Sequence, residues 1–124
     1  MAEGEEATKP EINWEEINEK LPFERNRPQR KKRKDLFRQF DPNDNGYLSL
    51  AETERGIRDV LQIDELFDCK LPIHRAFHYA KKVSSTDRNK KKLGDNFIEF
   101  REFRVFLQTL RQYFEYYQAF DRCV

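Results

Sequence analysis

Residues 41–52 read DPNDNGYLSLAE, an alternation of oxygen-bearing positions that closes on a glutamate at the twelfth. Ca²⁺ is a hard cation that collects six to eight oxygens in a flexible shell, and a loop of this length supplies them from positions one, three, five, seven, nine and twelve. Asp41, Asn43 and Asn45 offer side-chain oxygens, Tyr47 its backbone carbonyl, Ser49 a hydroxyl that acts directly or through a water, and Glu52 both oxygens of a carboxylate. Gly46 holds the sixth position, where the chain turns with positive φ, a conformation that costs glycine little and other residues more. Leu48, at the eighth, is the apolar residue that begins a short strand toward a partner loop. Phe37 and Phe40 before the stretch, and Ile57, Val60 and Leu61 after it, stand at helical spacing. An amphipathic helix is therefore expected on each side, over about 29–40 and 50–61. A chance polar turn between helices explains neither the glutamate at the twelfth position nor the leucine at the eighth.

A helix–loop–helix built on these oxygens is an EF-hand. Its charge bounds its affinity: Asp41 and Glu52 are the two formal carboxylates, Asn43 and Asn45 are neutral, and Asp44 is placed to point away. Binding of Ca²⁺ on the order of 10⁻⁶ to 10⁻⁴ M is expected, with Mg²⁺ as competitor. A second, degenerate hand follows. Ile98, Glu99, Phe100, Arg101, Glu102 and Phe103 repeat the pattern of residues 48–53, with Ile98 in the strand position and Glu102 in the twelfth. Counting back from Glu102 puts Lys91 at position one and Leu93 at position three, and neither ligates calcium. The segment from Val83 to Lys90 lengthens this loop, so the second hand is expected to be structural, pairing Ile98 beside Leu48. An irregular site from Asp87, Asn89, Asp95, Glu99 and Glu102 is the alternative, and its oxygens lack the regular spacing.

The expected architecture is all-α: an EF-hand pair with one regular and one degenerate, extended loop, joined by a short antiparallel β pairing, plus an extra N-terminal helix and a long C-terminal helix. Eleven phenylalanines among 124 residues can bury the modest core this requires. Residues 1–10, charged and poor in apolar side chains, are expected to be disordered. The EF-hand pair is expected over 11–124, with the first hand at about 29–61 and the second at about 72–117. Trp14, Ile17 and Leu21, at i, i+3 and i+7, make an N-terminal amphipathic helix that ends near Pro22 and docks its stripe on the domain. A turn of helix is expected over 65–69. Ile73, Ala76, Phe77 and Ala80 make one face of the second hand's entering helix, over about 72–82, with Pro72 suited to its first turn. Phe103, Phe106, Leu107, Leu110, Phe114 and Tyr117 form one stripe along a final helix over 100–120. Tyr116 to Asp121 then resembles Leu36 to Asp41, as if a further loop were about to begin. An exposed aromatic patch of Tyr113, Tyr116, Tyr117 and Phe120 is a candidate surface for a homodimer or another partner.

Net charge is only +1, so composition gives no argument for nucleic acid, and no aromatic residues interleave the basic run as stacking platforms. Charge is segregated locally. Residues 1–20 carry seven glutamates, whereas residues 25–38 carry Arg25, Arg27, Arg30, Lys31, Lys32, Arg33, Lys34 and Arg38 against Asp35 alone. That run is a solvated helix face, or a contact for an acidic membrane surface or a cytoskeletal polymer. No apolar stretch reaches eighteen residues and no signal peptide is present, which points to a soluble, cytoplasmic chain. Ala2 occupies the place where N-myristoylation needs glycine. Cys69 and Cys123 lack CxxC spacing and are expected to be reduced thiols, Cys69 half-buried and Cys123 in a frayed tail, with a redox pair as the alternative. His74 and His78, four apart on a helix, can share a face, but no third ligand stands beside them. No nucleophile with a matched base and no phosphate-cradling loop occurs, so no enzyme is expected.

Trp14-Glu15-Glu16-Ile17, Leu21-Pro22, the basic run into Leu36-Phe37-Arg38-Gln39-Phe40-Asp41, Val60-Leu61-Gln62-Ile63-Asp64-Glu65 and Phe97-Ile98-Glu99-Phe100-Arg101-Glu102-Phe103-Arg104 together resemble the N-terminal half of the flagellar calcium-binding proteins, or calflagins. The resemblance covers roughly residues 12–121. It implies a four-hand fold, calcium-regulated association with the flagellum and its membrane, and a lipid-modified N-terminus beginning Met-Gly. This chain departs from the pattern at Ala2 and in carrying one pair of hands, so the lipid-anchored switch is not carried over. The reading that follows is a single-site calcium sensor that regulates or recruits a protein partner, cytoplasmic and ciliary or flagellar. The alternative is a structural adaptor of the cytoskeleton or flagellum whose fold calcium stabilises.

Overall fold

The computed structural model describes residues 12–83 and 96–120. The expectations placed on the first ten residues, on Asp87, Asn89, Lys91, Leu93 and Asp95 of the second loop, and on Cys123 fall outside that range. The fold is helical with one small sheet. In chain order it comprises α1 (Trp14–Lys20), α2 (Arg27–Phe40), β1 (Tyr47–Ser49), α3 (Leu50–Gly56), a π-helical turn (Ile57–Leu61), α4 (Asp64–Asp68), α5 (Lys70–Val83), β2 (Phe97–Glu99) and α6 (Phe100–Ala119).

Four of the helices begin where the chain offers a capping side chain. Asn13 and Asn26 accept from the backbone N–H three residues on, Glu16 at 3.1 Å and Gln29 at 2.9 Å, and so start α1 and α2. Pro28 sits in the first turn of α2, where its missing N–H has no helical partner to lose. Ser49 and Glu52 form a reciprocal capping box at the start of α3, and Glu99 and Glu102 form the same device at the start of α6. The two hands are thus repeats in backbone as well as in sequence. Between them β1 and β2 run antiparallel in register, with Leu48 opposite Ile98, and both side chains are fully buried.

The exit helix of the first hand departs from the uninterrupted helix expected over 50–61. It tightens at Gly56 and then widens into the π turn, where the Gln62 N–H donates to the Ile57 carbonyl at 3.0 Å and Gln62 itself turns left-handed at φ 55°. Gly56 explains the break in packing terms. A Cβ there would lie 2.5 Å from ring atoms of Phe40, so the bare backbone of the exit helix rests on the last ring of α2. Phe40 and Phe37 each meet Phe103 edge-on at 5.3 Å, and Phe103 stacks near-parallel on Phe106, which in turn meets Phe77. A connected set of rings therefore joins α2, α5 and α6, with edge-to-face geometry that adds to area burial.

Two expectations are corrected here. Tyr117, placed among the exposed aromatics, is buried, whereas Tyr116 and Phe120 are more than half exposed. Cys69 is 2% exposed and disulfide-bonded rather than a reduced, half-buried thiol. One residue of the basic run also differs from its neighbours. Arg33 turns inward at 5% exposure, and its Nη1 donates to the carbonyls of Pro22 at 3.0 Å and Glu24 at 2.9 Å, tying the link between α1 and α2 to the domain. Burial first, then Arg104 and Arg30, lowers its pKa from the usual guanidinium value.

Two stability predictions follow from these contacts. Gly56→Ala should lower stability by about 1–3 kcal/mol despite alanine's better helix propensity, because the new methyl overlaps the Phe40 ring; a urea melt showing no loss would refute the close approach. Arg33→Met should cost about 1–3 kcal/mol by leaving two inward carbonyls without their donor, while Lys32→Met on the exposed side should change almost nothing.

Candidate metal centre

The stretch that follows α2 folds back on its own first residue. Asp41 is 5% exposed, and its carboxylate accepts from the N–H groups of Gly46 at 2.8 Å and Asn45 at 3.4 Å. The Asp44 N–H donates to the Asp41 carbonyl at 3.0 Å. These bonds are possible because the backbone is left-handed at Asp44 (φ 54°) and Gly46 (φ 86°), which wraps successive N–H groups around the carboxylate. Nothing lies within 4 Å of a Cβ built on Gly46, so backbone conformation rather than space makes glycine the favoured residue there. Asn45 stabilises the next step, its side-chain oxygen accepting from Tyr47 N at 3.0 Å.

The twelfth position closes the loop. One oxygen of Glu52 accepts from the Ser49 N–H at 3.0 Å, and the other lies 3.4 Å from the Asn43 amide nitrogen on the far side of the loop. Ser49 Oγ in turn accepts from the Glu52 N–H at 3.1 Å. Positions three and twelve therefore already face one another, and Asp41, Asn43, Asn45 and Glu52 come from one short arc of chain. The arrangement suits a hard cation. Its donors are all oxygen-bearing, two are carboxylates, and a half-turn of the Asn43 side-chain amide replaces the nitrogen facing Glu52 with an oxygen. Asp44 is exposed on the outside of the turn, as its place in the stretch suggested.

Across the sheet the second hand repeats the closing half of this geometry. The Glu99 N–H donates to Glu102 Oε1 at 2.8 Å, and Glu102 is 1% exposed. His74 and His78 do not act together: His74 Nε2 lies 2.8 Å from a carboxylate oxygen of Glu54, and His78 packs edge-on beside Phe77. Among the described residues no group of three His, Cys, Asp or Glu side chains converges on one point.

Three features had faint signals or none in the sequence. Gly56 carries a weak one, a glycine inside an otherwise helical pattern, which commonly marks close packing. Arg33 is chemically indistinguishable from the basic residues around it. Arg111 and Asn18 stand 93 positions apart and form a 2.8 Å hydrogen bond that no local pattern announces.

The family model for the FCaBP EF-hand domain matches residues 17–110. A flagellar calcium-binding protein of Trypanosoma cruzi is 35% identical over 109 residues, covering 87% of this chain and 51% of that protein. The flagellar calcium-binding proteins TB-17 and TB-24 of Trypanosoma brucei brucei are each 32% identical over 122 residues, covering 96% of this chain and 51% and 54% of theirs. This chain thus spans about half the length of those curated relatives, whose names describe calcium binding and no reaction. With the family model matching most of its length, the chain belongs to the calcium-binding EF-hand family of the FCaBP EF-hand domain.

Proposed function

We propose that this protein is a single-site calcium sensor, with Asp41, Asn43, Asn45, the Tyr47 carbonyl, Ser49 and Glu52 holding one Ca²⁺. The observation that carries the reading is the approach of Glu52 to Asn43 across the loop, with the Asp41 carboxylate already held inside the turn. The bound ion would supply one thing, a positive centre on which these oxygens converge. The chain's own residues do the rest. Glu52 is the third residue of α3, so any shift of its carboxylate moves the N-terminus of the exit helix. The chain turns directly from Phe40 at the end of α2 into Asp41, so movement at the first ligand reaches the aromatic core. On this reading the second loop supplies no second ligand set. It serves as the strand partner that keeps β1 in place.

The relatives' names place those proteins in a flagellum, and we extend that location to this chain as part of the proposal. Contact with the anionic inner face of a membrane is assigned to the outer side of α2. There Lys31, Lys32 and Lys34 are exposed and make no ion pair among the described residues, and Arg38 reaches only Asp35 at 3.8 Å. Cations beside an anionic lipid surface contribute roughly 1 kcal/mol each. A second reading, a constitutive adaptor, is favoured by the exposed Leu71, Tyr79, Val83, Tyr116 and Phe120 along α5 and α6, which need no ion to be available.

Titration with Ca²⁺ by calorimetry in millimolar Mg²⁺ should give one site with a dissociation constant on the order of 10⁻⁶ to 10⁻⁴ M, and Glu52→Gln should abolish it. At a hundredfold excess over that constant, Ca²⁺ should stabilise the fold by about 2.7 kcal/mol against urea. Absence of heat from the unmodified chain would reject the sensor and leave the adaptor. Vesicles containing phosphatidylserine should bind the protein in low salt and release it in high salt, and Lys31→Glu with Lys34→Glu should remove that binding. Retention unaffected by either change would reject α2 as the membrane face.

A further inference from the structure

The N-terminal helix is seated on the fold as a ligand would be. Trp14 packs against Phe114 with ring centroids 5.6 Å apart, Ile17 is 4% exposed and Leu21 is 1% exposed, so a three-anchor stripe enters an apolar seat. The guanidinium of Arg111 covers the Trp14 ring at 4.5 Å while its Nε donates to Asn18 at 2.8 Å, clamping the helix from the α6 side. At the other side Lys20 Nζ reaches the Gln62 carbonyl at 3.5 Å, and Ile17 and Ile63 line the floor of a small cleft of about 40 Å³ that opens to solvent between Glu16 and Glu65. Glu15, Glu16 and Glu19 stay outside. This is the anchor spacing with which amphipathic target helices enter grooves, here supplied by the chain itself.

Two physical facts make the helix displaceable. At seven residues, α1 is shorter than the roughly 12–15 residues an isolated helix needs to persist in water, so it is a helix only while docked. Its seat is also not independent of the first loop. Gln62 and Ile63 directly follow the π turn that ends the exit helix begun at Ser49 and Glu52, so a rotation of that helix moves one wall of the seat while Phe114 and Arg111 on α6 form the other.

We propose that α1 is a built-in occupant of a helix-recognition groove between Ile63 and the Arg111–Phe114 turn of α6, released when the first loop binds Ca²⁺ and replaced by a partner's acidic amphipathic helix. That partner carries an aromatic anchor followed by aliphatic ones three and seven residues on, with a side-chain oxygen or carboxylate four residues after the aromatic one, in the place of Asn18, to meet Arg111. The calcium dependence rests on the sensor reading, whereas the groove itself does not.

Trp14 is the chain's single tryptophan, so its emission reports the docked helix alone. In the unmodified 124-residue chain, Ca²⁺ should shift that emission to longer wavelength, and a synthetic peptide of residues 12–23 bearing a dye should bind the calcium-loaded protein between about 5-fold and 150-fold more tightly than the calcium-free protein. A peptide with serine in place of its Trp and Ile anchors should not bind. The variant Ile17→Asp should take up the peptide without calcium, with its circular dichroism showing that the domain stays folded. Arg111→Ala, which loosens only the clamp and leaves the anchors in place, should do so more weakly. Calcium heat in the calorimeter with unchanged Trp14 emission and unchanged peptide affinity overturns the coupling while leaving the calcium site intact. If no calcium binds, peptide uptake by the two variants and not by the unmodified chain sustains the groove, and uptake by neither overturns it.

Discussion

The fold turns on the contact between the Phe40 ring and the bare backbone of Gly56. Phe40 is the last residue of the helix entering the first loop, Gly56 lies in the helix leaving it, and the same ring meets Phe103 of the second hand at 5.3 Å. No side chain intervenes at this point, so the angle between the first hand's helices is set by a backbone lying on a ring. Dense interiors transmit such constraints, because a displaced ring has no void to move into. The helix that yields is the exit helix, which widens into a π turn one residue later rather than continuing its ordinary winding. That yielding positions Gln62 and Ile63 under α1, so the wall of the N-terminal seat is a consequence of a glycine six residues upstream.

The sheet supplies the second constraint. Leu48 and Ile98 are fully buried opposite one another, and from each strand a capping box with a glutamate in the third helical position launches an exit helix. A two-stranded ribbon is marginal alone and persists because helices cover one face. Here α5 and α6 provide that cover, and the ring set from Phe77 through Phe106 to Phe103 and Phe37 links them to α2. The second hand therefore has a structural role that depends on no ion, since removing it would expose Leu48 and leave the Phe37 and Phe40 rings without Phe103.

Much of this was legible in the sequence because it is local. The positions of Asp41, Gly46 and Glu52 depend on neighbours within a dozen residues, and the repeat of residues 48–53 at 98–103 pointed from Leu48 to Ile98 across the longer gap. Helix periodicity also separated Trp14, Ile17 and Leu21 from their acidic neighbours well enough to foresee a docked stripe. Spacing failed where the outcome was decided by contacts distant in the chain. Arg33 reads as one more cation in a basic run, and only the carbonyls of Pro22 and Glu24 turn it inward. Tyr117 and Tyr116 are adjacent and chemically identical, yet a step of about 100° around the helix buries one and exposes the other. Cys69 was read as a free thiol because compartment was inferred from weak spacing rules, whereas bonding depends on what the fold brings to the sulfur.

These contacts also explain why the N-terminal segment is held by both its side chains and its carbonyls. Beyond α1, the carbonyls of Pro22, Phe23 and Glu24 face the domain, and they are met by Arg33 from α2 and Arg104 from α6. An inward carbonyl left without a donor costs more than a typical hydrogen bond contributes, so the two arginines fix the link more firmly than the short helix before it. The segment thus divides into a pinned half, residues 22–24, and a lightly clamped half, α1 itself. A helix tethered close to its seat rebinds at high effective concentration once displaced, because a short link keeps it near. Any external helix must therefore compete against an intramolecular one, and the competition is set by how far the wall at Gln62 and Ile63 moves.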